Sequence, residues 1–315
     1  MTAIRTENLT KRFGELTAVD ALTISVSKGE LFGLVGSDGA GKTTTMRMLT
    51  AIMDPSAGDA WILGRHIQRE PEAIKEEIGY MSQRFGLYPD LTVQENIHFY
   101  ADIYGLPRKG REATIEELLS FSNLTPFRKR KAGALSGGMK QKLGLSCALV
   151  HTPRVLFLDE PTNGVDPVSR RDFWRILYKL LKEGVAIFVS TAYLDEADRC
   201  DRVGLIHNGR LLACDTPANL RKLMRGAILE IRTSEPRNAA RLLRRGLGDV
   251  SVGLFGDKVH VVTNDADKTA AAAAMTMKGK GVPFLSVRAV EPALEDVVIS
   301  LLNEKKSREG KTDDR

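Results

Sequence analysis

The 315-residue chain reads as an α/β protein, a mixed sheet flanked by helices, followed by a smaller α+β unit. Three observations predict this. Leu31-Phe32-Gly33-Leu34-Val35 and Val155-Leu156-Phe157-Leu158 are short, wholly apolar runs of the kind that form strands buried on both faces. Each run ends in a turn that carries chemistry: Gly36-Ser37-Asp38-Gly39-Ala40-Gly41-Lys42-Thr43 after the first, Asp159-Glu160 after the second. Beyond residue 223 the pattern changes to β-α-β-β-α-β, the order of a small ferredoxin-like sandwich.

From the start of the chain, residues 3–8 and 21–26 have the character of strands in a small antiparallel layer, joined through a turn at Phe13-Gly14. The strand at 31–35 leads into a phosphate-binding loop of the G-x-x-x-x-G-K-[ST] type. Its glycines, Gly36, Gly39 and Gly41, let the backbone turn tightly and approach an anion. A helix is expected over 43–53, with Met46, Leu49, Ile52 and Met53 on one face and Asp54-Pro55 stopping it. A chance glycine-rich turn would satisfy the spacing alone. It would not also supply the strand before it, the helix after it and the Lys-Thr pair. In this context the loop amides of Ser37, Asp38, Ala40 and Thr44 and the helix N-terminus cradle phosphate oxygens. Lys42 is expected to reach the β/γ-phosphates, and the Thr43 hydroxyl to ligate Mg²⁺.

From Gln83 to about His151 strand patterns disappear. Pro89-Asp90-Leu91-Thr92 reads as a helix start, and 111–122 and 139–150 as further helices. Ser136 is a good helix N-cap, and Gly137 and Gly138 leave their amides unobstructed. The core resumes at Pro153 with the strand ending in Asp159 and Glu160. Asp159 is placed to hold Mg²⁺ and Glu160 to polarise an attacking water. A helix over 167–182, a strand over 185–189 and a helix near 194–199 follow. Asn208-Gly209 between two apolar runs is a strong hairpin signal.

In the last third, 228–232 alternates as a strand and 236–246 reads as a basic helix. Val250, Val252 and Leu254 alternate, Gly256-Asp257 turns into a strand at 259–262, and an alanine-rich helix is expected over 266–278. A strand at 283–290 and a helix opened by Pro292 complete the unit. The sequence thus divides into 1–222, with a helical subdomain at about 84–151, an accessory domain at 223–304, and a polar tail, 305–315, expected to be disordered.

Over roughly residues 1–222 the chain resembles the nucleotide-binding domain of ABC transporters, with the motifs in that family's order. Leu135-Ser136-Gly137-Gly138-Met139 matches the family signature, Gln83 the Q-loop glutamine, and Asn163-Gly164-Val165-Asp166 the D-loop. Phe13 sits where the family has an aromatic that stacks on adenine. The resemblance implies a P-loop NTPase cassette with an antiparallel and a helical subdomain. It implies Gln83, Glu160 and Asp166 as catalytic-site residues, with Gln83 also sensing Mg²⁺. It further implies that Ser136, Gly137 and Gly138 of one subunit face the γ-phosphate bound by the other, so that two ATP molecules are sandwiched in a dimer. Leu87-Tyr88-Pro89-Asp90-Leu91-Thr92-Val93-Gln94-Glu95-Asn96, Tyr104-Gly105-Leu106, Ser190-Thr191-Ala192-Tyr193 and Glu291-Pro292-Ala293-Leu294-Glu295-Asp296-Val297 are similar to the drug-export class that includes daunorubicin-resistance ATPases. Implied with that class are efflux of drugs or other hydrophobic compounds and a separate permease. The permease would be held in a groove lined by 84–104, which places the chain at the cytoplasmic face of the inner membrane.

The pattern breaks at Ala192, where the family usually has a histidine that contacts the γ-phosphate and attacking water. A methyl group neither donates nor accepts a hydrogen bond, and none of the five histidines is an evident substitute by position. Two arrangements are open. A heterodimer with a different ATPase subunit, giving one weakened site, is favoured; a homodimer that hydrolyses slowly or uses water in place of the histidine is the other. Asp38, where the family commonly has Asn, is a smaller departure.

Composition narrows the alternatives. Hydrophobic content of 43% and charged content of 27% are ordinary for a globular protein. There is no apolar run of ~18 residues, and the first residues lack a signal-peptide core, so any membrane role is expected through partners. Cys147, Cys200 and Cys214 are isolated and odd in number, which fits reduced thiols rather than a disulfide framework or zinc site. The net charge is +6, and the run Arg128-Lys129-Arg130-Lys131 lacks interleaved aromatics, so it reads as a solvated loop and no nucleic-acid partner is expected. A soluble ABC ATPase acting on nucleic acid or ribosomes usually carries two cassettes in one chain or a coiled-coil insertion; here there is one phosphate loop and no sustained heptads. A weakly catalytic, ATP-gated partner of another subunit is the remaining alternative.

Overall fold

The computed structural model describes residues 1–83, 86–224, 226–248 and 250–309. The chain divides into two compact units, Met1–Thr216 and the remainder from Pro217. The division falls just before a short helix, Pro217–Lys222, so these six residues join the second unit rather than the cassette.

In the first unit, the strands β1 (Thr2–Phe13), β2 (Leu16–Leu22) and β3 (Ser25–Ser27) open the chain. They are followed by β4 (Leu31–Val35), α1 (Lys42–Leu49), β5 (Ala57–Ile62), β6 (Arg65–His66), α2 (Pro71–Glu77) and β7 (Ile78–Met81). β1 pairs antiparallel with β2, β3 and β5, forming the expected small layer, to which β5 and β6 add two strands not anticipated from sequence. Helix α1 ends at Leu49, four residues short of expectation. The Thr50 hydroxyl donates back to the Met46 carbonyl at 2.9 Å, and Ala51 takes φ +54°, which no helix continues through. Ile52, placed on the buried face by periodicity, is consequently exposed.

The helical region contains α3 (Val93–Ile103), α4 (Arg108–Phe121), kinked at Lys109-Gly110, and α5 (Gly137–Leu149). Thr92 and Glu95 close a reciprocal capping box at the start of α3. The carbonyls of Arg128 and Arg130 accept from the first-turn amides of Gln94 and Val93 at 3.1 and 2.9 Å, so the backbone of the basic run completes this helix end. Asn96, fully buried, donates to the carbonyls of Tyr88, Leu91 and Thr92 and accepts from the Tyr88 amide, which ties the preceding loop together.

The core resumes with β8 (Val155–Asp159), α6 (Pro167–Lys182), β9 (Ala186–Thr191), α7 (Leu194–Ala197), β10 (Arg202–His207) and β11 (Arg210–Asp215). The six-stranded sheet has the order β11-β10-β4-β9-β8-β7; only the β10–β11 hairpin is antiparallel. Its turn uses Asn208 (φ +47°) and Gly209 (φ +76°), as the Asn-Gly signal predicts. β4, β8 and β9 are buried along their whole length, in keeping with parallel strands covered on both faces. In register, Val35 lies beside Thr191 and Asp159 beside Ser190, so the carboxyl ends of β4, β8 and β9 finish side by side.

The second unit begins with α8 (Pro217–Lys222). Then come β12 (Ala227–Arg232), α9 (Pro236–Gly246), β13 (Ser251–Phe255), β14 (Lys258–Thr263), α10 (Ala266–Lys278), β15 (Ser286–Val290) and α11 (Leu294–Glu309). The antiparallel order β13-β14-β12-β15 is the ferredoxin-like arrangement expected from the β-α-β-β-α-β pattern. Residues 305–309, expected in a disordered tail, continue α11; residues 310–315 lie outside the described residues. Among the described residues no helix is long and apolar enough to cross a membrane.

Candidate nucleotide-binding site

The site forms where the central parallel strands end. The loop after β4 closes with the Gly36 amide donating to the Thr191 carbonyl of β9 at 3.3 Å and the Gly209 amide donating to the Ala40 carbonyl at 3.0 Å. Gly41 caps α1 at φ +106°, and a Cβ there would stand 2.4 Å from the Ala18 carbonyl oxygen, so both conformation and space require glycine. The loop delivers Lys42 with its side chain almost fully buried. Its Nζ donates to the carbonyls of Gly36 and Ser37 at 2.8 and 3.0 Å. A third neighbour is Oε1 of Glu160, 3.1 Å away. Asp38 lies at the solvent side, 4.0 Å from the same nitrogen.

The acidic pair behaves as two different groups. Oδ1 of Asp159 accepts from the Thr43 hydroxyl at 3.1 Å and from the Ser190 hydroxyl at 2.6 Å, while the buried Oδ2 has no hydrogen-bond partner among the described residues. An orphaned carboxylate oxygen beside a threonine hydroxyl is a donor set suited to a hard divalent cation, which takes oxygen ligands. Burial, and then the charge of Asp159, push the nearby Tyr80 phenol up to about 12. Glu160 adopts φ +49°, unusual for a residue with a side chain, and its amide donates to both the carbonyl and the hydroxyl of Ser190. Its Oε2 accepts from Gln83 at 3.0 Å and from Asn163 at 3.3 Å.

Phe13, Asp38, Gly39, Gly41, Lys42, Thr43, Thr44, Gln83 and Glu160 therefore line one cleft of about 340 Å³, together with Leu16 and Ala18. Phe13 is about half exposed at its rim, with the Lys11 ammonium 5.3 Å from the ring centre. Gly36, Ser37 and Ala40 belong to the loop but do not line the cleft, and neither does the buried Asp159. Two larger cavities, about 520 and 620 Å³, hold none of the expected site residues.

Ser136, Gly137, Gly138 and Asp166 lie apart from this cleft. Ser136 caps α5, accepting from the Met139 amide at 3.3 Å, and Ser136 and Gly137 are exposed. Asp166 caps α6 by accepting from the amides of Val168 and Ser169 at 3.1 and 2.9 Å; the Ser169 amide holds its carboxyl below the ordinary value. Gly138 is buried against α6.

The turn after β9 carries Ala192, the departure read from the sequence, and Glu196, which sequence patterns did not single out. Ala192 is exposed and offers only its methyl group. Buried Glu196 accepts from the hydroxyls of Thr162 and Thr191 and from Trp174, fixing the turn against α6. Ser190 and Asn163 lie inside stretches the resemblance singles out, but their bonds to Asp159 and Tyr193 join separate segments, so the sequence does not give them.

Residues 19–163 match the protein family described as ABC transporter. Over 304 residues and 95% of its length the chain is 42% identical to the probable multidrug ABC transporter ATP-binding protein YbhF of Escherichia coli (strain K12), covering 52% of that protein. It spans about half the length of this relative. It is 33% identical to the daunorubicin resistance ATP-binding protein DrrA2 of Streptomyces coeruleorubidus, over 95% of this chain and 94% of that one. A solved ATP-binding subunit of an ABC transporter superposes with a TM-score of 0.64 at 30% identity, over 70% of this chain and 93% of that chain.

Proposed function

The chain belongs to the ABC transporter family of ATP-binding proteins, and we propose that it is the ATP-binding and ATP-hydrolysing subunit of an exporter. In this reading it drives efflux of drugs or other hydrophobic compounds through a separate permease. The observation that carries the proposal is the meeting of Lys42, Thr43, Gln83, Asp159 and Glu160 at or beyond the carboxyl ends of β4, β8 and β7. Its relatives' names support the export assignment.

The loop amides and the N-terminus of α1 bind the phosphates, and Lys42 exchanges its contact with Glu160 for a phosphate oxygen. Phe13 presents its ring to the base. Thr43, Asp159 and Gln83 would hold Mg²⁺, which neutralises charge on the phosphates when bound. Glu160 accepts the proton of the attacking water. The exposed Ser136 and Gly137, which do not line their own cleft, are available to a second ATP-binding subunit, identical or different, whose nucleotide they and Asp166 would contact. ATP then favours the closed pair and hydrolysis releases it.

Docking on the permease is supported by two clefts beside the helical region. One, of about 310 Å³, joins Gln83 to Leu87 and Pro89; the other is lined by Tyr104 and by exposed Ile52 and Ile103. In this reading the chain sits peripherally at the cytoplasmic face of the inner membrane, through its permease. Ala192 keeps a second reading alive, a weakly catalytic partner of another ATPase subunit. The export proposal is tested in the encoding organism by replacing the chain with its Glu160→Gln variant and following retention of a panel of hydrophobic drugs. Retention equal to that of a deletion strain is expected; unchanged efflux of every compound contradicts it.

A further inference from the structure

We propose that Tyr193 is a positioning residue for Glu160, acting through Asn163; the inference rests on the ATPase reading above. The Tyr193 hydroxyl donates to Oδ1 of Asn163 at 3.3 Å, and Nδ2 of Asn163 donates to Oε2 of Glu160 at 3.3 Å. The three side chains form a directed chain. A carboxylate only accepts, so the Asn163 amide must turn its nitrogen to Glu160 and its oxygen away. The tyrosine hydroxyl is the donor that receives that oxygen and holds the amide in this orientation.

Both ends of the chain are anchored. The backbone N–H of Asn163 donates to the Glu160 carbonyl at 3.2 Å, so the two residues share one turn. Tyr193 donates its own backbone N–H to the Thr191 hydroxyl at 2.9 Å. Its ring lies under the Arg170 guanidinium, 4.7 Å from the ring centre. Arg170 in turn is ion-paired with Asp195 at 3.3 Å and with buried Glu196 at 3.5 Å. A ring clamped in this way has little freedom to aim its hydroxyl elsewhere.

The two oxygens of Glu160 therefore have separate duties. Oε1 is held by Lys42 at 3.1 Å, and Oε2 by Gln83 and Asn163. When Lys42 moves to phosphate, Oε1 is released toward the cleft while Oε2 stays tethered. The carboxylate is thereby presented to water in one orientation rather than left to rotate, which is what a general base requires. Ala192, on the same turn, supplies no polar atom for this task, and Tyr193 does so from the next position.

The test is steady-state Mg²⁺-ATP hydrolysis by the purified full chain as wild type, Tyr193→Phe, Asn163→Ala, the double variant and Glu160→Gln. Tyr193→Phe is expected to lower kcat about tenfold, the scale of one lost hydrogen bond, with KM for ATP unchanged. The double variant is expected to be no slower than Asn163→Ala alone, because the two residues act in series. A kcat for Tyr193→Phe equal to wild type overturns the proposal. So does a rise in KM at unchanged kcat, or additive losses in the double variant. A wild-type chain as inert as Glu160→Gln overturns the ATPase reading itself, and the positioning role with it.

Discussion

Nζ of Lys42 lies 3.1 Å from Oε1 of Glu160, with 3% and 10% of the two side chains exposed, so the group that would meet the phosphates is ion-paired to the group that would activate water. Nucleotide binding must break this pair. Glu160→Gln keeps the shape and removes the competing charge, so it should bind a non-hydrolysable ATP analogue more tightly than wild type. The gain expected is about tenfold, from one charge-assisted hydrogen bond of ~1.5 kcal/mol. Lys42→Ala should weaken the same binding by at least about tenfold. Titration calorimetry reads both; equal affinities for wild type and Glu160→Gln would show that the pair does not compete.

The two glycines of the Ser136-Gly137-Gly138 segment are constrained differently. A Cβ on Gly138 would stand 2.4 Å from the Ser169 Cβ, whereas one on Gly137 meets nothing closer than the Gly164 carbonyl oxygen at 3.8 Å. Gly138→Ala should therefore destabilise the cassette by about 1–3 kcal/mol through overpacking of α5 on α6. Gly137→Ala should leave denaturant unfolding unchanged within about 0.5 kcal/mol. Equal midpoints for the two variants would refute the packing account.

Local sequence carries much of this arrangement, and its limits have physical causes. The phosphate loop and the Asp159-Glu160 turn hold their chemistry within a few consecutive residues, and β4 and β8 are uniformly apolar because parallel strands are covered on both faces. The hairpin at Asn208-Gly209 is readable because positive φ at two successive positions restricts residue choice. β5, with Gly58 and Asp59 at its start, lacks a clean alternation and exists because β1 pairs with it. The Tyr193–Asn163–Glu160 chain joins residues 30 and 3 positions apart through a tertiary turn, and no local pattern encodes it.

Ser190 is fully buried and serves both acidic residues, donating to Asp159 at 2.6 Å and accepting from the Glu160 amide at 3.0 Å. Ser190→Ala removes one donor from the buried Asp159 carboxylate, while the Glu160 amide keeps its bond to the carbonyl of residue 190. It should cost about 1–3 kcal/mol in chemical unfolding through the under-satisfied Asp159 carboxylate. Unchanged stability would contradict this role for the Ser190 hydroxyl.

In the second unit, Glu230 is gripped by Lys258 at 2.9 Å, Arg232 at 3.2 Å and Arg288 at 2.8 Å. The hydrogen bond from Lys258 leads in lowering its pKa to about 2, against burial, with Arg232 and Arg288 adding to the effect. A carboxyl depressed in the folded state contributes stability that is complete above its unfolded value, near 4.5, and lost as pH falls through about 2. The stability difference between wild type and Glu230→Gln should therefore shrink steadily across that window. Urea unfolding followed from pH 6 to about 2 checks this, and a constant difference would contradict it.

The most direct test of the account is steady-state ATP hydrolysis by the purified chain, with wild type beside Glu160→Gln and Ala192→His. Glu160-dependent turnover is the prediction: wild type hydrolyses ATP, Glu160→Gln abolishes it, and Ala192→His changes it little because Tyr193 and Asn163 already hold the carboxylate. A wild type indistinguishable from Glu160→Gln, with turnover appearing only in Ala192→His, would contradict it and identify the chain as a partner whose cycle depends on another ATPase subunit.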